Sequence, residues 1–131
     1  MKISTKGRYA LRLMLDLAIN HTGEYISIKS IASRQDISEK YLSQIVIELK
    51  KNHLIDTFKG VHSGYVLCRP PHEITIEEVF RIFEGEYIID CLGDKTNCSK
   101  KTGCRSFRIW EQLNKSIADT LKGTTLADLI K

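Results

Sequence analysis

Between Gly7 and His21 the apolar residues Ala10, Leu13, Met14, Leu17 and Ala18 recur at steps of three and four, while Arg8, Arg12, Asp16 and Asn20 line up at i, i+4 as a polar stripe. That spacing predicts an amphipathic helix turned toward a core. Gly23 stops it, and Ser27 caps a short second helix whose inward face is Ile28, Ile31 and Ala32 and which ends near Gln35. Ser38 caps a third helix, with Glu39 at the positive helix end, Leu42, Ile45, Val46 and Leu49 as its core stripe, and Lys50-Lys51-Asn52 at its close. At about 100° per residue, the opposite face of this third helix carries Lys40, Gln44, Ile47 and Lys51, flanked by Ser43.

After His53 the period shortens. Leu54–Phe58 and Tyr65–Cys68 are β-rich runs on either side of the polar loop Lys59-Gly60-Val61-His62-Ser63-Gly64, which predicts a hairpin. Pro70-Pro71 end the second strand, because proline cannot donate to a ladder. Cys68, in that strand, is expected to be a small buried hydrophobe. Thr75-Ile76-Glu77-Glu78 has the form of a capping box and opens a fourth helix through Ile76, Val79, Phe80 and Phe83 to Gly85. From Ser106 to Lys122, Phe107, Trp110, Leu113, Ile117 and Leu121 define a helix of about 25 Å. Thr125 with Asp128 starts a final short one.

Composition narrows the setting. A hydrophobic content of 42% is ordinary for a water-soluble protein, and no apolar run approaches the roughly 18 residues of a membrane span, so membrane association is not expected. The start of the chain lacks the apolar stretch of a secretory signal, which places the cysteines in a reducing cytoplasm. Charge is uneven within the net +4: residues 1–72 carry 11 basic and 6 acidic side chains, residues 73–131 carry 9 and 10. The first half is therefore the half suited to a polyanion.

Helix, short helix, turn, helix, hairpin is the order of a winged helix-turn-helix: a mainly α fold with a small β-hairpin wing. In it the third helix presents its polar face to the major groove of double-stranded DNA. Gln44 suits bidentate pairing with adenine, Lys40 and Ser43 suit bases or phosphate, and Lys51 suits phosphate. In the loop, Lys59 and His62 are expected to reach toward backbone or minor groove, with Gly60 and Gly64 permitting close approach. The organisation expected is a DNA-binding domain over residues 1–72 and, over 73–131, a cysteine loop and long helix packed as one unit.

Cys91, Cys98 and Cys104 fall within fourteen residues, on a segment with little apolar content and with Lys95, Lys100, Lys101 and Arg105 around them. Thiolates are the ligands of iron-sulfur clusters, and nearby cations favour their deprotonated form. Gaps of six and five residues do not match the closer Cys pairs of structural zinc sites. A redox-sensing thiol pair and cysteines without a function remain as alternatives. His21, His53, His62 and His72 are expected at the surface or at caps rather than as ligands.

Met1-Lys2-Ile3-Ser4-Thr5-Lys6-Gly7-Arg8-Tyr9-Ala10, Ile37-Ser38-Glu39-Lys40-Tyr41-Leu42, Lys50-Lys51-Asn52, Gly64-Tyr65 and Thr124-Thr125-Leu126-Ala127-Asp128-Leu129 resemble the IscR-type family of bacterial iron-sulfur cluster regulators. The likeness covers nearly the whole chain. It implies a winged-helix transcription factor whose long C-terminal helix crosses its copy in a homodimer on a near-palindromic operator. It also implies that Cys91, Cys98 and Cys104 hold an iron-sulfur cluster, 2Fe-2S or 4Fe-4S. The sequence departs from the pattern at the fourth ligand: Phe107 stands where the namesake type has histidine, and Arg8 where the nitric-oxide-sensing branch has an acidic residue. Asp90, Asp94, Ser106, a residue of the other subunit, or an exogenous thiol or water are the groups left for that position. The wing has Lys59-Gly60 in place of the usual Arg-Gly, and Ser43 replaces an acidic residue of the recognition helix.

The expectation is a cluster-dependent transcriptional regulator, a repressor or activator, sensing iron-sulfur or redox status. The alternatives are the family's cluster-free, cysteine-metabolism type of repressor and a thiol-based redox sensor. No phosphate loop, carboxylate pair or Cys/His/Asn arrangement suggests an enzyme.

Overall fold

The computed structural model describes residues 2–58, 63–93 and 103–131. Lys59, Gly60, His62 and Cys98 lie outside the described residues, as do Asp94, Lys95, Lys100 and Lys101. The chain runs α1 (Thr5–Ile19), α2 (Ile28–Gln35), α3 (Glu39–Lys51), β1 (Ile55–Phe58), β2 (Gly64–Leu67), a 3-10 turn (Pro71–Glu73), α4 (Ile76–Glu84), a second 3-10 turn (Asp90–Leu92), α5 (Phe107–Lys122) and α6 (Leu126–Leu129).

The first helix starts earlier than its apolar period suggests. Ser4 Oγ accepts the Gly7 N–H at 3.0 Å and sets the N-cap, and the same serine donates to Glu84 Oε1 from both its N–H and its hydroxyl. Gly7 eases that contact: a Cβ there would push the Glu84 carboxylate away from Ser4, so its absence lets the end of α4 close on the start of α1. Ser27 and Ser38 cap α2 and α3 by accepting the N–H of Ser30 and Tyr41. Between these helices Asp36 adopts a left-handed turn (φ 54°), which lets the chain reverse in two residues.

The hairpin pairs Ile55 with Leu67 and Phe58 with Gly64. It has an additional partner that sequence period does not reveal: Ile26, before α2, exchanges two 2.8 Å backbone hydrogen bonds with Tyr65. A Cβ on Gly64 would meet the Ile26 backbone at 2.8 Å, so glycine is needed for that crossing. Cys68 corrects an expectation. Leu67 points inward and closes the strand, so its successor faces water, and Cys68 is exposed rather than buried.

The core is built by Ala10, Leu13, Met14 and Leu17 of α1, Ile31 of α2, Leu42, Ile45 and Leu49 of α3, and Leu54 and Ile55 at the hairpin. Ile74, Val79 and Leu126 join it from the second half. The last helix is stitched back by Leu126 N–H to Ile74 O and Ile76 N–H to Thr124 O, both 2.9 Å. Helix α5 differs. It packs on α4, and none of its residues is fully buried, Phe107, Trp110, Leu113, Ile117 and Leu121 included. No helix among the described residues is long and apolar enough to cross a membrane.

Glu78 joins the hairpin exit to α4. It accepts the Thr75 N–H at 3.0 Å in the expected capping box, and Arg69 donates to its other oxygen. Burial pushes this carboxyl up, but the Thr75 N–H and the Arg69 guanidinium outweigh burial and hold it below the ordinary glutamate value. A depressed folded value gives stability that is present above the unfolded pKa and is lost as pH falls through the folded one. Thermal unfolding of Glu78→Gln should therefore show a lower melting point than wild type at pH 7 and a smaller loss between pH 5 and about 3. Parallel pH profiles for the two proteins would show that Glu78 contributes no such term.

Candidate nucleic-acid interface and thiol segment

Helix α3 buries Leu42, Ile45, Val46 and Leu49 and leaves Lys40, Ser43, Gln44, Ile47 and Lys51 on one exposed face. Among the described residues, Lys40, Gln44 and Lys51 make no side-chain hydrogen bond or ion pair, so their donors are uncommitted. Ser43 is different: its hydroxyl proton is donated to the Glu39 carbonyl at 2.8 Å, which leaves its oxygen as an acceptor.

What aims this helix is a polar network that the period of α1 does not reveal. Asp16 sits in the i, i+4 stripe with Arg8 and Arg12, yet it is 2% exposed. Its carboxylate accepts Arg34 Nε at 3.0 Å and Nη2 at 2.7 Å, Gln35 Nε2 at 3.0 Å and, more weakly, Asn20 Nδ2 at 3.4 Å. Arg12 holds Gln35 from the other side, donating to its side-chain and backbone oxygens. The end of α2, and with it the turn into α3, is thereby fixed on α1. Beside it the Arg8 and Arg12 guanidiniums lie 6.0 and 5.4 Å from the Tyr9 ring, and Tyr9 meets Tyr41 of α3 edge-on at 5.5 Å. Cations spaced i, i+4 around a tyrosine were the available signal for this cluster.

At the foot of the hairpin loop, Thr57 Oγ1 donates to the Gly64 carbonyl, and the Tyr25 and Phe58 rings pack at 5.5 Å. The expected loop contacts of Lys59, Gly60 and His62 fall outside the described residues.

Cys91 and Cys104 are half-buried, the first in the Asp90–Leu92 turn and the second just before α5. Cys104 Sγ lies 3.2 Å from Ser106 Oγ. Among the described residues no three His, Cys, Asp or Glu side chains are grouped as a metal site; Cys98 is outside that set. The exposed Cys68 is chemically distinct. Partial burial of its thiol and the Asp56 charge push its pKa up, against an opposing effect of Arg69, and so disfavour the thiolate.

A helix-turn-helix with an open outward face on its second helix, followed by a β-hairpin, defines a winged-helix DNA-binding regulator rather than an enzyme. The chain belongs to the Rrf2 family, described as iron-dependent transcriptional regulators, whose family model matches residues 3–131. Similar proteins include the transcriptional regulator CymR of Bacillus subtilis, 36% identical over 98% of this chain and 89% of its own length, and IscR of Vibrio campbellii, 35% identical over 100% and 78%. Among solved structures, B. subtilis CymR, titled the global cysteine regulator, superposes with TM-score 0.81 at 35% identity, covering 99% of this chain and 96% of that one. IscR of T. potens gives 0.77 at 36%, covering 99% and 86%.

Asp16→Ala should cost about 2 kcal/mol or more, because it takes the carboxylate partner from the Arg34 guanidinium and from Gln35 Nε2 at the helix-turn-helix, though Arg34, 42% exposed, retains some water. Chemical denaturation checks this, and a loss below about 0.5 kcal/mol would place the network outside the fold's essential contacts.

Proposed function

We propose that this Rrf2-family regulator is a homodimer that binds a near-palindromic operator through α3 and the hairpin loop, with affinity set by an iron-sulfur cluster on Cys91, Cys98 and Cys104. The observation that carries the DNA reading is the exposed α3 face, where Lys40, Gln44 and Lys51 have uncommitted donors in the basic half of the chain. Gln44 pairs with a base edge, while Lys40 and Lys51, with Lys59 and His62 of the loop, neutralise phosphates.

The dimer reading rests on α5. A 16-residue amphipathic helix with no fully buried residue stands over a groove of about 420 Å³ lined by Ile3, Phe80, Ile88, Ile117 and Leu121 among others. A second copy covers that apolar face and holds two α3 helices at half-sites about 34 Å apart.

The donor chemistry suits the cofactor: three thiols, two of them at the ends of one segment, and a hydroxyl beside Cys104. When bound, the cluster supplies an iron- and oxidant-sensitive link among those thiolates. Cys104 lies three residues before α5, so holding or releasing its thiol alters how the first turn of α5 is anchored. A difference in DNA affinity follows only to the extent that the two anchorings favour different half-site spacings. CymR and IscR are about equally similar to this chain, so relatedness alone does not separate a cluster-free cysteine regulator from a cluster protein. The cysteine triad favours the latter.

Anaerobically purified wild type should be coloured and contain iron and sulfide, and Cys98→Ala should lose both. A colourless, iron-free wild type would remove the cofactor and leave the cysteine-regulator or thiol-sensor reading. On DNA, Gln44→Ala should cost about 1–3 kcal/mol at one base position, and Lys51→Ala should weaken all sequences alike while reducing the salt slope by about 1. Equal losses of Gln44→Ala on specific and random duplexes would contradict base readout.

A further inference from the structure

We propose that Ile47 is a specificity-determining residue that recognises the 5-methyl group of a pyrimidine, thymine in the first place, in the major groove. The proposal rests on the assignment of α3 as the base-reading helix.

Single apolar side chains on a surface are ordinary, and Ile3, Ile19 and Ile109 are others in this chain. Ile47 is set apart by its position. It is 57% exposed at the centre of the face formed by Lys40, Ser43, Gln44 and Lys51, while the other aliphatic residues of α3 are buried. Placed in a major groove, an isoleucine cannot pair with phosphate or with the donors and acceptors of base edges. Covering those polar atoms would strip their water without replacing it. The one apolar group a base pair presents there is the C5-methyl of thymine, shared chemically by 5-methylcytosine.

The surroundings of Ile47 fit a methyl. Ser43, one turn earlier on the same face, commits its hydroxyl proton to the Glu39 carbonyl, so it is not a competing donor beside Ile47. Gln44 lies three residues before Ile47, about 4.5 Å along the axis by the α-helical rise. That is close to the roughly 3.4 Å separation of base pairs, so the methyl belongs within a step or two of the base that Gln44 reads.

The test uses the full-length protein and binding sites selected from random duplexes. Each thymine is then replaced in turn by deoxyuridine, which deletes only the methyl. At one position per half-site, wild type should lose about fourfold in affinity, the worth of burying one methyl-sized group. Ile47→Ala should bind dT and dU alike at that position, and Ile47→Val should retain most of the discrimination. Because the side chain is exposed and alanine favours helix, Ile47→Ala is expected to keep the wild-type melting point. Placing 5-methyl-dC at the same position separates the sources. Recovery relative to dC means the methyl is read on either pyrimidine, and no recovery restricts it to thymine. Deoxyuridine costing wild type and Ile47→Ala equally at every position would overturn the role of Ile47 while leaving sequence-specific binding intact. Failure to select any preferred site would overturn both.

Discussion

The orientation of the helix-turn-helix depends on one buried carboxylate. Apolar burial holds α1, α2 and α3 together, but it is non-directional and tolerates sliding. Asp16 supplies direction, because it takes two hydrogen bonds from the Arg34 fork and one from Gln35, both in the last turn of α2. Arg12 grips Gln35 from one turn earlier on α1, so the amide is held between two charged groups on a single helix. One residue later Asp36 turns the chain into α3. An error in the seating of Arg34 and Gln35 would be carried directly into the aim of Gln44 and Lys51.

The second half of the chain uses the same core without enlarging it evenly. Ile74, Ile76, Val79 and Leu126 are fully buried, yet they come from segments on either side of α5 and not from α5 itself. The long helix is thus tied along its second half by α4, where Lys122 pairs with Glu77, and beyond its end by the Ile74–Leu126 stitch, while its apolar stripe stays half-covered. Most helical stability comes from packing and not from propensity, so the proposed second copy would supply α5 with the packing its own chain leaves incomplete.

Much of this was legible in the sequence because apolar period reports burial directly. The stripes of α1, α3, α4 and α5, the capping serines and threonines and the hairpin all follow from residue spacing. The outward face of α3 followed too, since whatever lies opposite Leu42, Ile45, Val46 and Leu49 must face away from the core. Four features were not legible, each for its own reason. Asp16 looked solvated because a paired buried charge has the same spacing as an exposed one. The Ile26–Tyr65 bridge is a single-residue pairing with no period to detect. Cys68 was assigned inward although strand alternation after the buried Leu67 turns it out, and the strand ends before it. The orientation of the Ser43 hydroxyl toward its own helix is a rotamer choice that residue type alone leaves open.

The arrangement also constrains how a thiol-dependent signal can reach DNA. From Cys104 a continuous series of contacts runs through α5 to α4, from Glu84 of α4 to Ser4 and Gly7 of α1, and from Asp16 of α1 to Arg34 of α2 and the turn into α3. Contiguity transmits nothing by itself; coupling requires that the two thiol states change the packing free energy of α5 by different amounts in the free and DNA-bound geometries. Within one protomer the links from α4 to α3 pass through the Glu84–Ser4 hydrogen bonds and the Asp16–Arg34 ion pair. The compliant link is the half-buried stripe of α5. In the proposed dimer, a thiol-dependent change at α5 would alter the spacing of the two DNA-binding units, and an operator would detect it through the distance between its half-sites.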